Sequence, residues 1–190
     1  MNNHHIELSK YIKLKQIENV KLHLGCGGVR WGNFINVDFY PQDDLLSDSS
    51  RNGCVADVYA DIRELGLPDC TVDEIFTSHT FEHFTKWEGI DMLRDWYRML
   101  RQGGRLVIEM PDFWRCIFWL FHPSKQKREL GRTQFYGNQW DRHEFETHRY
   151  LWSSSEIASK LLGLGFSDVK ISHRTETHHP WRDMRVETTK

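Results

Sequence analysis

Three glycines stand within four positions at Gly25-Cys26-Gly27-Gly28, directly after the short apolar run Lys21–Leu24. Glycine reaches backbone angles closed to other residues and lets a ligand come close to the chain. Exposed amides in such a loop can meet polar ligand groups. Ten residues beyond Gly28, a second apolar run ends on Asp38. A carboxylate there can accept hydrogen bonds from two neighbouring hydroxyls at once, as a ribose offers them. An ordinary turn would explain the glycines alone. A glycine loop followed by a strand-end acid favours a cradle for a nucleoside-containing ligand.

Other reactive residues are spread further along. Asp61 closes a third apolar run at 54–60 and fits a strand end, whereas Asp57 reads as a loop or solvent acid. Cys26 has no activating base in its motif, so it reads as a small packing residue rather than a nucleophile. In "HTFEH", His79 and Glu82 lie three apart and would share a helical face, while Glu82 and His83 divide between packing and function. "HEFETH" sets His143 and His148 five apart. A helix-borne zinc pair needs a spacing of four, and five rotates the rings about 140° apart. No metal site is therefore expected, and His178-His179 reads as a solvated loop.

These residues need elements to hold them. A loose helical pattern covers 6–18, and strands are expected at Lys21–Leu24, 34–37, 54–60 and 72–77, with a polar loop at 41–52. Thr85-Lys-Trp-Glu88 has capping-box form and opens an apolar stripe through Met92, Leu93, Trp96, Met99 and Leu100. A stop at Gln102-Gly103-Gly104 precedes a strand at 105–110 ended by Pro111. Ser153-Ser-Ser-Glu156 opens a second helix ending at Gly163 or Gly165, followed by strands at 169–172 and 184–187. Strands alternating with helices or long connections imply a three-layer α/β domain built on parallel strands. Ligands in such sheets bind beyond the carboxyl ends of the strands. Gly25, Asp38, Asp61, His79 and Asp112 all fall there.

Composition narrows the class. The 190 residues allow one domain with a sizeable core, and a 13% aromatic content helps to fill it. A formal charge of -2 speaks against a general nucleic-acid binder. No apolar run is long enough to span a membrane, and the polar start lacks the apolar centre of an export signal. Four scattered cysteines, Cys26, Cys54, Cys70 and Cys116, then read as reduced thiols of a cytoplasmic protein. The expected partner is a small molecule, with no nucleic acid and no membrane; the oligomeric state stays open.

Taken together, "LHLGCGG", "INVD", "ADIREL", "SHTFEH" and "MLRQGGRLVIEMPD" resemble a class I S-adenosylmethionine-dependent methyltransferase, nearest the small type 11-like members. The resemblance runs from Lys21 to Asp112, and more weakly through "GLGFSDVKI" and "RDMRVETTK". It implies a Rossmann-like sheet of seven strands, mostly parallel, with one antiparallel C-terminal strand at 182–188. It also implies S-adenosylmethionine as cofactor. Leu24, Gly25, Cys26 and Gly27 would run beneath the methionine and ribose. Asp38 would hold the ribose hydroxyls, Asp61 the adenine amino group, and Ile62 the ring through its amide and side chain. Ser78 and His79 would lie beside the sulfonium and the acceptor. Two departures stand out: "RQGG" replaces "KPGG" but keeps the glycine turn, and the Gly28-to-Asp38 gap is too short for a full first helix. The first helix is thus expected to shrink to a turn, with Trp31 covering the space.

One domain over 1–190 follows, with an N-terminal helix (1–19), a cofactor-binding core (20–112), an acceptor-side insertion (113–152) and a C-terminal helix and strands (153–190). The insertion carries Phe135, Tyr136, Trp140, Phe145, Tyr150 and Trp152 among a basic excess. Flat aromatic faces suit sugars, and the bases would attract a phosphate or carboxylate. Methyl transfer to a hydroxyl needs a base within hydrogen-bond reach; His79, Asp112, His143 and His148 are the candidates. The expected activity is methylation of a small hydroxylated acceptor, a sugar or nucleotide-sugar of surface-polysaccharide synthesis. The alternatives are a non-catalytic module of the same fold, or a methyltransferase on another small molecule, a protein or a nucleic acid.

Overall fold

The computed structural model describes residues 7–39, 54–137, 146–175 and 182–190. Its elements run α1 (Leu8–Leu14), β1 (Lys21–Leu24), β2 (Ile35–Asp38), β3 (Val58–Tyr59), β4 (Val72–Ser78), a 3-10 turn (Phe81–His83), α2 (Lys86–Met99), β5 (Leu100–Pro111), α3 (Phe113–Leu120), α4 (Lys125–Tyr136), α5 (Ser154–Leu164), β6 (Ser167–Ser172) and β7 (Asp183–Thr189). Among the described residues one sheet has seven strands, in the order β3-β2-β1-β4-β5-β7-β6. β1 to β5 pair in parallel. β7 is antiparallel to both β5 and β6, as expected for the strand near 182–188. The strand order reverses between β1 and β4, and the crevice beyond their carboxyl ends is where such sheets bind ligands. No described helix is long and apolar enough to cross a membrane.

Local sequence accounts for most of the elements. Thr85 caps α2 through a complete capping box with Glu88, and Ser153 caps α5 by accepting from the Glu156 amide. Gly165 ends α5 with φ 103°, a left-handed turn that suits glycine. Several boundaries differ from the expectation. α1 is shorter than 6–18, and the strand expected at 54–60 shrinks to two residues. α2 passes into β5 at Leu100, so Gly103-Gly104 bends inside the strand rather than ending the helix. The expected loop at 41–52 lies outside the described residues. α4 has no counterpart in the expected elements.

The two faces of the sheet are covered differently. Leu22, Leu24, Ile75, Leu106, Ile108, Met184 and Val186 join α2 and α5 in the core, through Leu93, Trp96, Ile157 and Leu161. On the other face, among the described residues, no helix lies between Leu24 and Val72. The chain from Gly25 to Phe34 makes turns only. Trp31 lies on this face, stacked on Phe76 with ring centroids 4.1 Å apart and within 5.3 Å of the His23 and Phe34 rings. The expected abbreviation of the first helix, with Trp31 over the gap, is what the structure has.

A buried amide holds that turn in place. Asn36, 0% exposed, accepts from the Trp31 amide (3.0 Å) and donates to the Trp31 and Phe34 carbonyls, both at 3.1 Å, and to Asp57 Oδ2 (2.9 Å). Because its nitrogen faces acceptors, its oxygen faces His23 Nδ1 at 3.1 Å, and that ring nitrogen must donate. Asp57 also accepts from the Asn36 amide and pairs with Arg30, so it braces the turn instead of lying free in solvent.

Further along the same face, charged side chains alternate across four strands. Lys21 on β1 pairs with Glu74 on β4 (2.9 Å), Glu74 with Arg105 on β5 (2.9 Å), and Arg105 with Glu187 on β7 (2.5 Å). Glu187 pairs with Arg185 (2.6 Å), and Arg185 returns to Glu109 on β5 (2.7 Å).

Replacing Asn36 by Leu keeps its bulk but leaves buried backbone groups of the turn unpaired. The expected loss is about 2–3 kcal/mol of unfolding free energy, measured by urea titration. Wild-type stability in Asn36→Leu would show that the aromatic stack alone holds the turn.

Candidate active site

The glycine loop leaves β1 directly at the crevice. Gly25 has φ 71° and donates its amide to the Val37 carbonyl at 2.9 Å. A Cβ there would stand 2.1 Å from Thr80 Oγ1, so the loop and the segment after β4 touch only because this residue has no side chain. Gly27 has φ 49°, and nothing lies within 4 Å of where its Cβ would be. Its amide donates to Asp38 Oδ2 at 2.6 Å, and the Phe39 amide donates to Oδ1 at 2.7 Å. Asp38 is half-buried and each oxygen keeps further acceptor capacity. A glycine cradle open on one side, tied to a carboxylate that can take two hydroxyls, fits the ribose end of a nucleoside.

Other residues expected at the cofactor gather around this loop with different duties. Asp61 follows β3 at the same end of the sheet, since the Ala60 amide meets the Asp38 carbonyl at 2.9 Å. Arg63 grips its carboxylate, with Nη2 to Oδ2 at 2.6 Å, and Glu88 holds the other side of the guanidinium. Burial works to raise the Asp61 carboxyl, but the Arg63 contacts outweigh it and hold it below its usual range. The Ile62 side chain sits in the core at 5% exposure, so its amide is the part left to meet a ring. Leu24 is wholly buried, its side chain turned into the core. Ser78 Oγ points to Glu109 at 3.4 Å.

A polar cluster fills the space beyond β4. His79 sits at φ 50°, a left-handed conformation uncommon outside glycine and frequent at functional sites. Its Nε2 faces Asp183 Oδ2 at 3.0 Å, and its Nδ1 faces Glu82 Oε1 at 3.2 Å. Burial alone would lower the His79 pKa; contacts with Asp183 and Glu82 reverse that and raise it to about 9. Both nitrogens are thus engaged by carboxylates, which corrects the expectation that His79 could take a proton from an acceptor. Glu82 and Asp183 are each 0% exposed. The Glu82 carbonyl accepts from the Arg149 and Tyr150 amides at 2.8 and 3.2 Å, which brings His148 into the cluster. His148 Nδ1 meets the Gln134 carbonyl at 2.6 Å, and its ring packs edge-on against His83 at 4.9 Å. Burial lowers the His148 pKa.

Asp112 has a different task. Its Oδ1 accepts from the Arg115 amide at 2.9 Å, capping α3, and the residue is 3% exposed. That corrects its expected role as a base. His143 and the aromatics Trp140 and Phe145 lie outside the described residues, as does the His178-His179 loop. A cavity of about 420 Å³ opens beside the cluster, lined by Phe113, Trp114, Phe135, Arg149, Tyr150 and Glu156. Phe135 and Tyr150 were expected there. Trp152 is instead fully buried, packed against Phe81 and Tyr150, and Tyr136 is 65% exposed. Sequence reasoning missed Trp114, Glu156 and Asp183, because only the fold brings α3, α5 and β7 to one spot.

Residues 22–108 match the family model described as a methyltransferase domain. No curated protein matches the chain. Among solved structures, a SAM-dependent methyltransferase from Archaeoglobus fulgidus superposes with a TM-score of 0.57 at 19% identity, over 96% of this chain and 91% of that one. A SAM-dependent methyltransferase from Thermotoga maritima gives 0.56 at 18% identity, over 98% and 90%. A Haloferax volcanii protein solved with the Trm112 methyltransferase activator gives 0.59 at 12% identity, over 97% and 89%.

The thiols offer a direct check on the loop. Cys26 is buried, and desolvation first, then neighbouring Asp38 and Cys54, push its pKa well up. Burial likewise raises Cys116 to about 12. At pH 8, iodoacetamide is expected to alkylate exposed Cys70 and to spare Cys26 and Cys116 until the chain is unfolded, as read by peptide mass spectrometry. Equal labelling of Cys26 and Cys70 in the folded protein would contradict a packed, inert Cys26.

Proposed function

We propose that the chain is a class I S-adenosylmethionine-dependent methyltransferase and that it methylates a hydroxyl of a small acceptor, a sugar or nucleotide-sugar of the kind used in surface polysaccharides. The observation that carries this reading is the cavity after β5. Its volume, about 420 Å³, falls in the range of small-molecule sites. Phe113, Trp114, Phe135 and Tyr150 offer flat apolar faces, while Arg149 and Glu156 offer polar groups between them. Stacked faces with interleaved charge suit a sugar ring and a phosphate better than a bare apolar substrate.

S-adenosylmethionine supplies an electrophilic methyl group on a sulfonium. The chain's own part is to align and to manage a proton. The Gly25 and Gly27 backbone and the Asp38 carboxylate would hold the ribose end, with Asp61 and the Ile62 amide at the base. Leu24, Cys26 and Ser78 would complete the wall. His79, locked between two carboxylates, would fix the segment that joins cofactor and acceptor sides. Alignment of an acceptor oxygen with the methyl group accounts for much of such a rate enhancement. The acceptor proton would leave towards the polar cluster beyond β4, where Glu82, His83 and His148 gather.

Asp38→Ala removes the acceptor of two hydroxyl hydrogen bonds. Charge-assisted bonds contribute about 1.5–3 kcal/mol each, so S-adenosylmethionine affinity is expected to fall by about ten- to hundredfold or more, measured by calorimetry. Unchanged affinity would overturn the ribose assignment. The acceptor class is tested by incubating the enzyme and S-adenosylmethionine with monosaccharides, nucleotide-sugars, amines and peptides, and weighing the products. Methylation of a sugar hydroxyl is the expected result; transfer to amines or peptides alone would replace the proposed class.

A further inference from the structure

Glu82, His83 and His148 place one oxygen or nitrogen each within 4.8 Å of one another. Two of them come from the 3-10 turn after β4, and the third from the chain that leads into α5. The Glu82 carboxylate is fully buried, and among the described residues its Oε2 has no hydrogen-bond partner. Oε1 stands 3.2 Å from His79 Nδ1 and 3.8 Å from His148 Nε2.

Both histidines are oriented in the same way. His83 Nδ1 lies 3.2 Å from the Thr147 carbonyl, and His148 Nδ1 lies 2.6 Å from the Gln134 carbonyl. A carbonyl only accepts, so each Nδ1 carries the proton and each neutral ring keeps its lone pair on Nε2. Rings fixed by a backbone carbonyl at one nitrogen, with the other left for a ligand, are the usual support of metal-ligating histidines. Zinc bound by nitrogen and oxygen at about 2.0–2.2 Å keeps neighbouring donors about 3.4 Å apart. The 3.8 Å between Glu82 and His148 closes to that with a small side-chain shift.

We propose that Glu82, His83 Nε2 and His148 Nε2 form a binding site for a divalent transition cation, zinc foremost, with a fourth position open. Two imidazoles and one carboxylate suit zinc and its neighbours better than magnesium or calcium, which take mostly oxygen donors. The open position takes water or an acceptor oxygen, and a cation acidifies either one. That catalytic use rests on the methyltransferase reading; the binding of the cation does not. Bound zinc also ties the 146–150 segment to the turn after β4.

The test is calorimetric titration of chelator-treated full-length protein with zinc chloride, repeated on His83→Ala, His148→Ala and, as a control, His122→Ala. One cation per chain is expected for wild type and His122→Ala, with affinity lower by on the order of a hundredfold or more in the two ligand variants. Cobalt in place of zinc should give visible absorption of a low-coordinate site in wild type and His122→Ala, and not in the two ligand variants. S-adenosylmethionine titration of each variant shows that it is folded and keeps the two readings apart. Should His148→Ala fail to fold, the half-exposed His83 decides. Absence of zinc binding to wild type, or equal binding by folded His83→Ala, overturns the site while leaving methyl transfer untouched.

Discussion

One imidazole sits between two carboxylates shut off from the surface. Glu82 and Asp183 are both fully buried, and a buried carboxylate is costly unless a positive partner meets it. His79 meets both, and Arg182 adds a second contact to Asp183 at 3.1 Å. Those residues belong to the end of β4, the turn after it and the start of β7. The chain must therefore bring β7 between β5 and β6 in the right place before either charge is compensated. The Glu82 carbonyl then collects the Arg149 and Tyr150 amides, so the cavity wall is fastened to the same point. The left-handed backbone at His79 is tolerated because so many contacts over-determine it.

At the other end of the crevice, economy of chain sets the geometry. A full helix after β1 would cover the sheet and present its own amides. Here turns do both, held by Asn36 beneath and by Trp31 stacked on Phe76. The glycine loop is thus supported by one buried amide and an aromatic plate. It faces Thr80 so closely that the loop after β1 and the segment after β4 share a wall.

What the sequence disclosed follows from range. β1, β4, both capping boxes and the antiparallel last strand are local signals, and all were legible. So were the glycine loop, Asp38 and the shortened first connection, because each depends on a few neighbouring residues. α4 escaped notice: "KQKRELGRTQFY" is polar around most of its circumference and is held by packing against α3. The strand at 54–60 was overdrawn: only Val58 and Tyr59 pair with β2, and Cys54, Val55 and Ala56 before them lie half-buried outside the ladder. The cluster of Glu82, His83, His148 and Asp183 joins residues up to 101 positions apart (82 to 183), a distance no motif spans. His148 was weighed against His143, its neighbour in sequence, when its partners in space are on the turn after β4. Asp112 looked reactive because a strand-end acid and a helix cap are the same residue type in the same place.

The charged ladder on the face that carries Trp31 has a bearing on how the sheet assembles. Partly exposed ion pairs add little stability, typically up to about 1 kcal/mol each. Their signs, however, alternate from β1 through β4 and β5 to β7: Lys21, Glu74, Arg105, Glu187. Sliding any of these strands by one residue would swing its charges into the hydrocarbon face, and sliding by two would uncouple each from its opposite. Parallel strands paired across long sequence separations are slow to find one another and prone to misalign. In this sheet the ladder works as a key for strand alignment, rejecting the wrong pairings more than it strengthens the right one.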